Sequence, residues 1–116
     1  MGYGNGMEKY VEPCRPQSDY QMFTGTVPTF IDKQPFNIYY MTVSGHSNYT
    51  PGSNDMTEKN WDRVKDLTCS AKVKGYIAAN LELEDAVAYL VEELEKAMDV
   101  FCTCLKLAAI EKLMNG

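Results

Sequence analysis

The chain has a single histidine, a single tryptophan and no long apolar run, and each shortage removes a class of function. No stretch approaches the roughly 18 to 20 apolar residues of a membrane-spanning helix, so no span is expected. Basic residues are scarce: 11 Lys and Arg stand against 16 Asp and Glu, a net charge of −5. Such a chain lacks the positive field that binding to phosphate backbones or anionic membranes draws on, and nucleic acid is not expected as a partner. One histidine without partners cannot build a zinc or hydrolytic centre. Cys14, Cys69, Cys102 and Cys104 are spaced too irregularly for a dense disulfide framework or a paired Cys-x-x-Cys zinc site. Cys102 and Cys104 would stand about 200° apart on a helix. Free, buried or half-buried thiols are the expectation for all four. Met1 to Gly6 carries neither the basic flank nor the apolar stretch of a signal peptide. The sequence therefore reads as a cytosolic polypeptide or as a piece of something larger, and no compartment is assigned.

What remains is ample for one domain. With 116 residues, 45% of them hydrophobic, the chain should bury about 65% of its unfolded surface. Its two halves differ in texture. All five prolines and six of the eight glycines lie before residue 71, so the first half should be loop-rich and the second helical. Pro16-Gln17-Ser18-Asp19 offers a helix start with Ser18 or Asp19 as N-cap, and Tyr20, Met22, Phe23, Val27, Phe30 and Ile31 supply an apolar face. Pro28 either breaks that helix or opens a second short one.

Phe36-Asn37-Ile38-Tyr39-Tyr40-Met41-Thr42-Val43 is rich in aromatic and β-branched residues and nearly continuous in apolarity. It predicts a strand over about 36–43, buried on both faces as in the parallel sheet of an α/β protein. The small, polar stretch from Ser44 to Gly52 would then lie beyond the carboxyl end of the strand, where open α/β sheets collect ligands. A short helix is expected around Thr57 to Leu67, capped by Thr57 or Asp55, with Trp61, Val64 and Leu67 on one face. From Ser70 onward Val73, Ile77, Leu81, Val87, Leu90, Leu94, Met98, Phe101 and Leu105 recur at helical spacing. Acidic residues from Glu82 to Glu95 predict a solvated outer face. A helix running on to Leu113 would exceed 40 residues without an internal cap, so a break near Asp99 is expected.

Few side chains could carry chemistry. His46 follows the expected strand, and its imidazole can donate to an anionic or hydroxyl-rich ligand. Ser44 lies two residues away, but side chains so spaced in an extended segment face opposite ways, which argues against a nucleophile and base pair. Asn48-Tyr49-Thr50 matches a glycosylation acceptor pattern that matters only for an exported chain. Trp61 and the eight tyrosines are scattered as core and rim residues usually are.

A longer pattern is more specific. The run Gln34-Pro35-Phe36-Asn37-Ile38-Tyr39-Tyr40-Met41-Thr42-Val43-Ser44-Gly45-His46-Ser47-Asn48-Tyr49-Thr50 is followed by Lys59-Asn60-Trp61-Asp62 and by Ala78-Ala79-Asn80-Leu81-Glu82-Leu83-Glu84-Asp85-Ala86. Tyr89-Leu90 and Glu93-Leu94-Glu95-Lys96-Ala97 complete it. Together they resemble the lipoteichoic acid synthase and sulfatase-like group of the alkaline phosphatase superfamily, over residues from about Gly4 to Ala97. The resemblance implies a partial α/β/α fragment of the catalytic domain over 1–97, with one clear strand, and a divergent helical tail over 98–116. Members of that group sit in the cell membrane with an extracellular catalytic domain. They use manganese or another divalent metal and a threonine nucleophile to transfer glycerol phosphate from a phosphatidylglycerol-type lipid. The resemblance places Ser44, Gly45, His46 and Asn48 beside the lipid head group. It implies no catalytic or metal-binding residue in this chain, because the family's nucleophile and metal acid lie upstream of the matched region and its Asp-His pair downstream. No Asp-His occurs in these 116 residues.

Two function classes follow. One is a segment of a sulfatase-like phosphoglycerol transferase that keeps a substrate-side loop and is inactive alone; a variant of this reading makes the loop a residual binding module for glycerol phosphate. The other is a small acidic, α-rich interaction protein. Met98, Phe101, Leu105, Ile110 and Leu113 would give that protein an apolar surface for pairing with itself or a partner.

Overall fold

A computed structural model describes residues 6–46 and 48–115, without the side chains of 101–105 and 108. Three α-helices organise it: α1 over Asp19–Thr26, α2 over Asp55–Lys59 and α3 over Ala71–Asn115. Single 3₁₀ turns at Met7–Lys9, Val27–Thr29 and Trp61–Arg63 fill the connections. No helix among the described residues is long and apolar enough to cross a membrane.

Local chemistry accounts for where each helix starts. The Ser18 hydroxyl accepts from the Gln21 amide at 3.0 Å, so Ser18 is the cap of α1 and Asp19 its first residue. Pro28 sits in the first turn of the 3₁₀ segment, where its missing N–H costs nothing, and opens that turn. Asn54 caps α2, its carbonyl oxygen accepting from Thr57 N at 2.8 Å. Ser70 accepts from Val73 N at 3.3 Å at the start of α3. The 45 residues of α3 at about 1.5 Å each give a rod of about 67 Å, which matches the longest dimension of the molecule, 67 Å.

The core forms where α1 crosses α3. Met22, Phe23 and Val27 of α1 and its exit pack with Val11 against Ala86, and Tyr89 and Leu90 close the seam. Ala78, Ala79 and Ala86 are fully buried on α3, and their small side chains let the other elements approach its backbone. Beyond residue 97 the described apolar side chains of the helix lie open to solvent. Met98, Val100, Leu107, Ile110, Leu113 and Met114 are all exposed. This projecting rod raises the radius of gyration to 19.3 Å, against about 13 Å for a compact chain of this length.

The α/β expectation is overturned. Among the described residues the chain is mostly helical, with no strand and no sheet. Residues 36–43 form no regular element, and the backbone of Phe36 to Thr42 makes no hydrogen bond within the described residues. Strand propensity reports how well a side chain suits a pleated surface, and a sheet also needs a neighbouring strand. Here the segment lies on a helix instead. Tyr40 stacks on Phe23 with ring centroids 4.1 Å apart, its hydroxyl pairs with Thr26 Oγ1 at 2.6 Å, and Phe36 meets Phe30 edge-on at 5.0 Å. Burial pushes the Tyr40 phenol above its ordinary value, opposed by the Thr26 hydrogen bond. Phe36, Tyr40 and Val43 are half-buried, while Ile38, Tyr39 and Met41 are 44%, 85% and 72% exposed.

Two further expectations change. Helix α3 passes Asp99 without a break. The second helix is two short pieces, α2 and the Trp61–Arg63 turn, and Asn54 rather than Thr57 or Asp55 caps it.

Gly75 fixes how closely the polar loop can approach α3. A Cβ there would stand 1.5 Å from the Tyr49 carbonyl oxygen, while Tyr49 packs edge-on against Tyr76 at 5.1 Å. Alanine favours helix by about 1 kcal/mol over glycine, but the overlap is with backbone and cannot be relieved by a rotamer change. Gly75→Ala is therefore expected to lower stability by about 1–3 kcal/mol. Urea unfolding followed by circular dichroism checks this, and an unchanged or higher midpoint would contradict it.

Candidate functional site

The loop from Val43 to Asn54 crosses the amino-terminal half of α3 above a floor of buried polar side chains. Two carboxylates organise that floor. Glu82 of α3 is fully buried, and its Oε1 accepts from the Ser18 hydroxyl and from Lys59 Nζ at 2.9 Å. Its Oε2 accepts from Lys59 Nζ at 2.9 Å and from Asn60 Nδ2 at 3.4 Å. One carboxylate thereby joins the cap of α1, the end of α2 and the middle of α3. Water still reaches Lys59, whose side chain is 49% exposed, so the cation keeps part of its hydration while the buried anion is compensated. This corrects the reading of Glu82 as part of a solvated acidic face; Glu84, Glu92 and Glu95 do lie exposed.

Asp19, the second carboxylate, is also fully buried. Its Oδ1 accepts from Val43 N at 2.9 Å, and its Oδ2 accepts from Ser44 N at 3.0 Å and from the Ser44 hydroxyl. The carboxylate sits in the first turn of α1, where the helix dipole favours negative charge. It ends the 36–43 segment and starts the turn. His46 N then donates to Val43 O at 3.0 Å, and Asn54 Nδ2 holds the His46 carbonyl at 3.2 Å. Thr57 donates to the Gly75 carbonyl at 3.1 Å, which fastens α2 to α3 beneath the loop. Outside this floor, Arg63 bonds both oxygens of Asp85 at 2.6 and 3.2 Å, and that contact holds its guanidinium more firmly protonated.

Ser44, Gly45 and His46 lie in this one turn, and Asn48 lies beyond it in the same loop. Ser44 is fully buried with its hydroxyl on Asp19, so it positions the turn from below. Gly45 is half-buried against α3, where a Cβ would stand 3.0 Å from Asn80 Oδ1. His46 and Asn48 are exposed, and Asn48 takes a left-handed conformation with φ 72° that asparagine tolerates well. Ser47 lies outside the described residues. Asp19, Asn54, Lys59 and Glu82 were not among the sequence candidates, although they build the platform beneath the loop.

The arrangement presents an imidazole and an amide on a charge-free loop. Residues 34–54 contain no Asp, Glu, Lys or Arg. Among the described residues no set of three His, Cys, Asp or Glu side chains is placed to hold a metal ion. Every buried side-chain nitrogen and oxygen among the described residues has a hydrogen-bond partner. The floor is thus saturated, and its carboxylates hold the loop rather than offering lone pairs to a ligand. Cys14 and Cys69 are free thiols; Cys14 is half-buried, and burial, with Asp55 nearby, pushes its thiol up. Cys102 and Cys104 lie outside the described side chains.

Comparison with protein-family models, curated protein sequences and solved structures finds no match for this chain.

Asp19→Ala removes the acceptor of three hydrogen bonds from Val43 and Ser44, two of them from buried Ser44 groups. The expected cost is about 2–3 kcal/mol. Amide hydrogen exchange at Val43, Ser44 and His46 should accelerate while the carboxyl-terminal half of α3 is unaffected. Unchanged exchange across the turn would show that Asp19 does not hold it.

Proposed function

We propose that this chain is a segment of a sulfatase-like membrane phosphoglycerol transferase of the lipoteichoic acid synthase type, carrying part of the head-group side of the substrate site and performing no transfer alone. The single observation that carries this reading is the presented turn. In the Ser44-Gly45-His46 sequence of the resemblance His46 is exposed, Ser44 is fixed below it by buried Asp19, and the His46 backbone is held by Asn54.

The chemistry assigned to the turn is recognition. A glycerol phosphate head group offers hydroxyls and anionic oxygens, which the His46 imidazole and the Asn48 amide can meet as donors. Buried Asp19 beneath the turn has both oxygens engaged by the backbone and hydroxyl of 43–44, so the turn keeps its conformation without a ligand. Phosphoryl transfer further requires a nucleophile and charge stabilisation in the same site. No residue of this chain is assigned either role.

Titration with glycerol phosphate at millimolar concentration, followed through the His46 ring signals by NMR, should give saturable shifts that His46→Ala abolishes. Incubation with manganese and a glycerophospholipid analogue should give no turnover above background. Unmoved ring signals would remove the head-group role, and metal-dependent turnover by the purified chain would contradict the assignment of no catalytic centre.

A further inference from the structure

The side of α3 that meets the rest of the chain is a stripe with a seven-residue period. Gly75, Ala79, Glu82 and Ala86 on it are buried, and Tyr89 and Glu93 are half-buried. The same spacing leads on through Lys96 to Val100, Leu107, Ile110 and Met114, and there the side chains are 65%, 62%, 53% and 81% exposed. On a straight helix such a stripe turns by only about 20° in seven residues, so the surface that α1 covers upstream continues, open to water, to the helix tip. Where it emerges, a cleft of about 490 Å³ separates Ile31, Asp32 and Gln34 from Lys96, Ala97 and Val100 of α3.

We propose that residues 98–114 of α3 pair with the same segment of a second copy of this chain, antiparallel about a two-fold axis near residue 105, the tip of each helix closing the cleft of the other. Steric fit selects the orientation. The body of the molecule stands on the stripe at Ala86 and Tyr89, in the space that the helix of a parallel partner would need. A reversed partner carries its body past the tip instead. The open stripe runs from the cleft to the tip, so two reversed copies cover one another over its whole length, about 25 Å. Val100 of each copy then faces Ile110 of the other, and Met114 faces the alkyl stem of Lys96.

Charge makes the segment complementary to itself in the same orientation. Beside the cleft Asp32, Glu92, Glu93, Glu95 and Asp99 outnumber Lys33 and Lys96, whereas toward the tip Lys106 and Lys112 outnumber Glu111. Reversed pairing lays each acidic shoulder against a tip and holds the two shoulders about 27 Å apart along the helices; parallel pairing would oppose them directly. The exposed Lys106 side chains flank the axis, where water screens them. This pairing does not rest on the phosphoglycerol transferase reading, and its failure leaves that reading as it stands.

Sedimentation equilibrium of the full chain from low-micromolar to hundred-micromolar concentration tests the proposal, with hydrogen exchange measured at both ends of the range. The expected result is a monomer–dimer equilibrium in which exchange over 98–114 slows roughly tenfold or more as the dimer forms, and exchange at 31–34 slows with it. Leu107→Asp with Ile110→Asp changes only exposed side chains. That variant should keep the helical circular dichroism and hydrogen exchange of α1 and α2, and should stay monomeric. A strictly monomeric wild type would overturn the proposal and leave the stripe to a different partner. So would a dimer whose exchange over 98–114 is unchanged, or an aspartate variant that dimerises as well as the wild type. Slowing over 98–114 without slowing at 31–34 would overturn the antiparallel arrangement, and open-ended aggregation would overturn the closed pair.

Discussion

Glu82 is the residue on which the other contacts converge. Placing a carboxylate inside a protein is costly unless charge and hydrogen bonds replace water. Ser18, Lys59 and Asn60 supply them from two different segments, and each is at or next to the end of a helix. The requirement to satisfy one buried anion therefore sets where α1 begins, where α2 ends and how both lie on α3. A hydrophobic contact of similar area would hold these elements together but would tolerate sliding. The carboxylate tolerates little, because both of its oxygens are engaged.

Asp19 extends the same logic one layer outward. Ser18 and Asp19 are adjacent, so fixing Ser18 to Glu82 aims Asp19 at the far side of α1, where it takes the amides of Val43 and Ser44. The turn at Ser44-Gly45-His46 is thereby positioned through two carboxylates in series. Glycine at 45 and 75 lets the loop close on α3, where a Cβ would meet Asn80 or the Tyr49 carbonyl. Beyond residue 97 α3 continues as one helix, and Met98, Val100, Leu107, Ile110, Leu113 and Met114 are exposed.

The helices were legible where local chemistry decides them. The Ser18 cap, the role of Pro28 and the periodic apolar residues of α3 need only near neighbours in sequence. Asn54 was overlooked as a cap because Asp55 and Thr57 are equally good candidates by residue type. Phe36 to Val43 misled because its composition suits a sheet, while the outcome depends on whether a neighbouring strand is present. Glu82 could not be told from Glu84 or Asp85 by charge pattern, since its distinguishing partners, Ser18 and Lys59, lie 64 and 23 residues away. Ser44, Gly45 and His46 lie in the turn that His46 N closes on Val43 O, and the burial of Ser44 on Asp19 follows from tertiary contact alone.

The most direct measurement of the role given to Glu82 is residue-resolved hydrogen exchange on the Glu82→Gln chain. Glutamine keeps the size but loses the charge facing Lys59 and one acceptor oxygen. Protection should fall together in α1, in α2 and at Val43 and Ser44, with a global loss of about 2–4 kcal/mol, while the helix beyond residue 97 exchanges as before. Loss of protection confined to α3 around residue 82, or no loss at all, would contradict the claim that this one carboxylate joins the three helices and, through Asp19, the exposed turn.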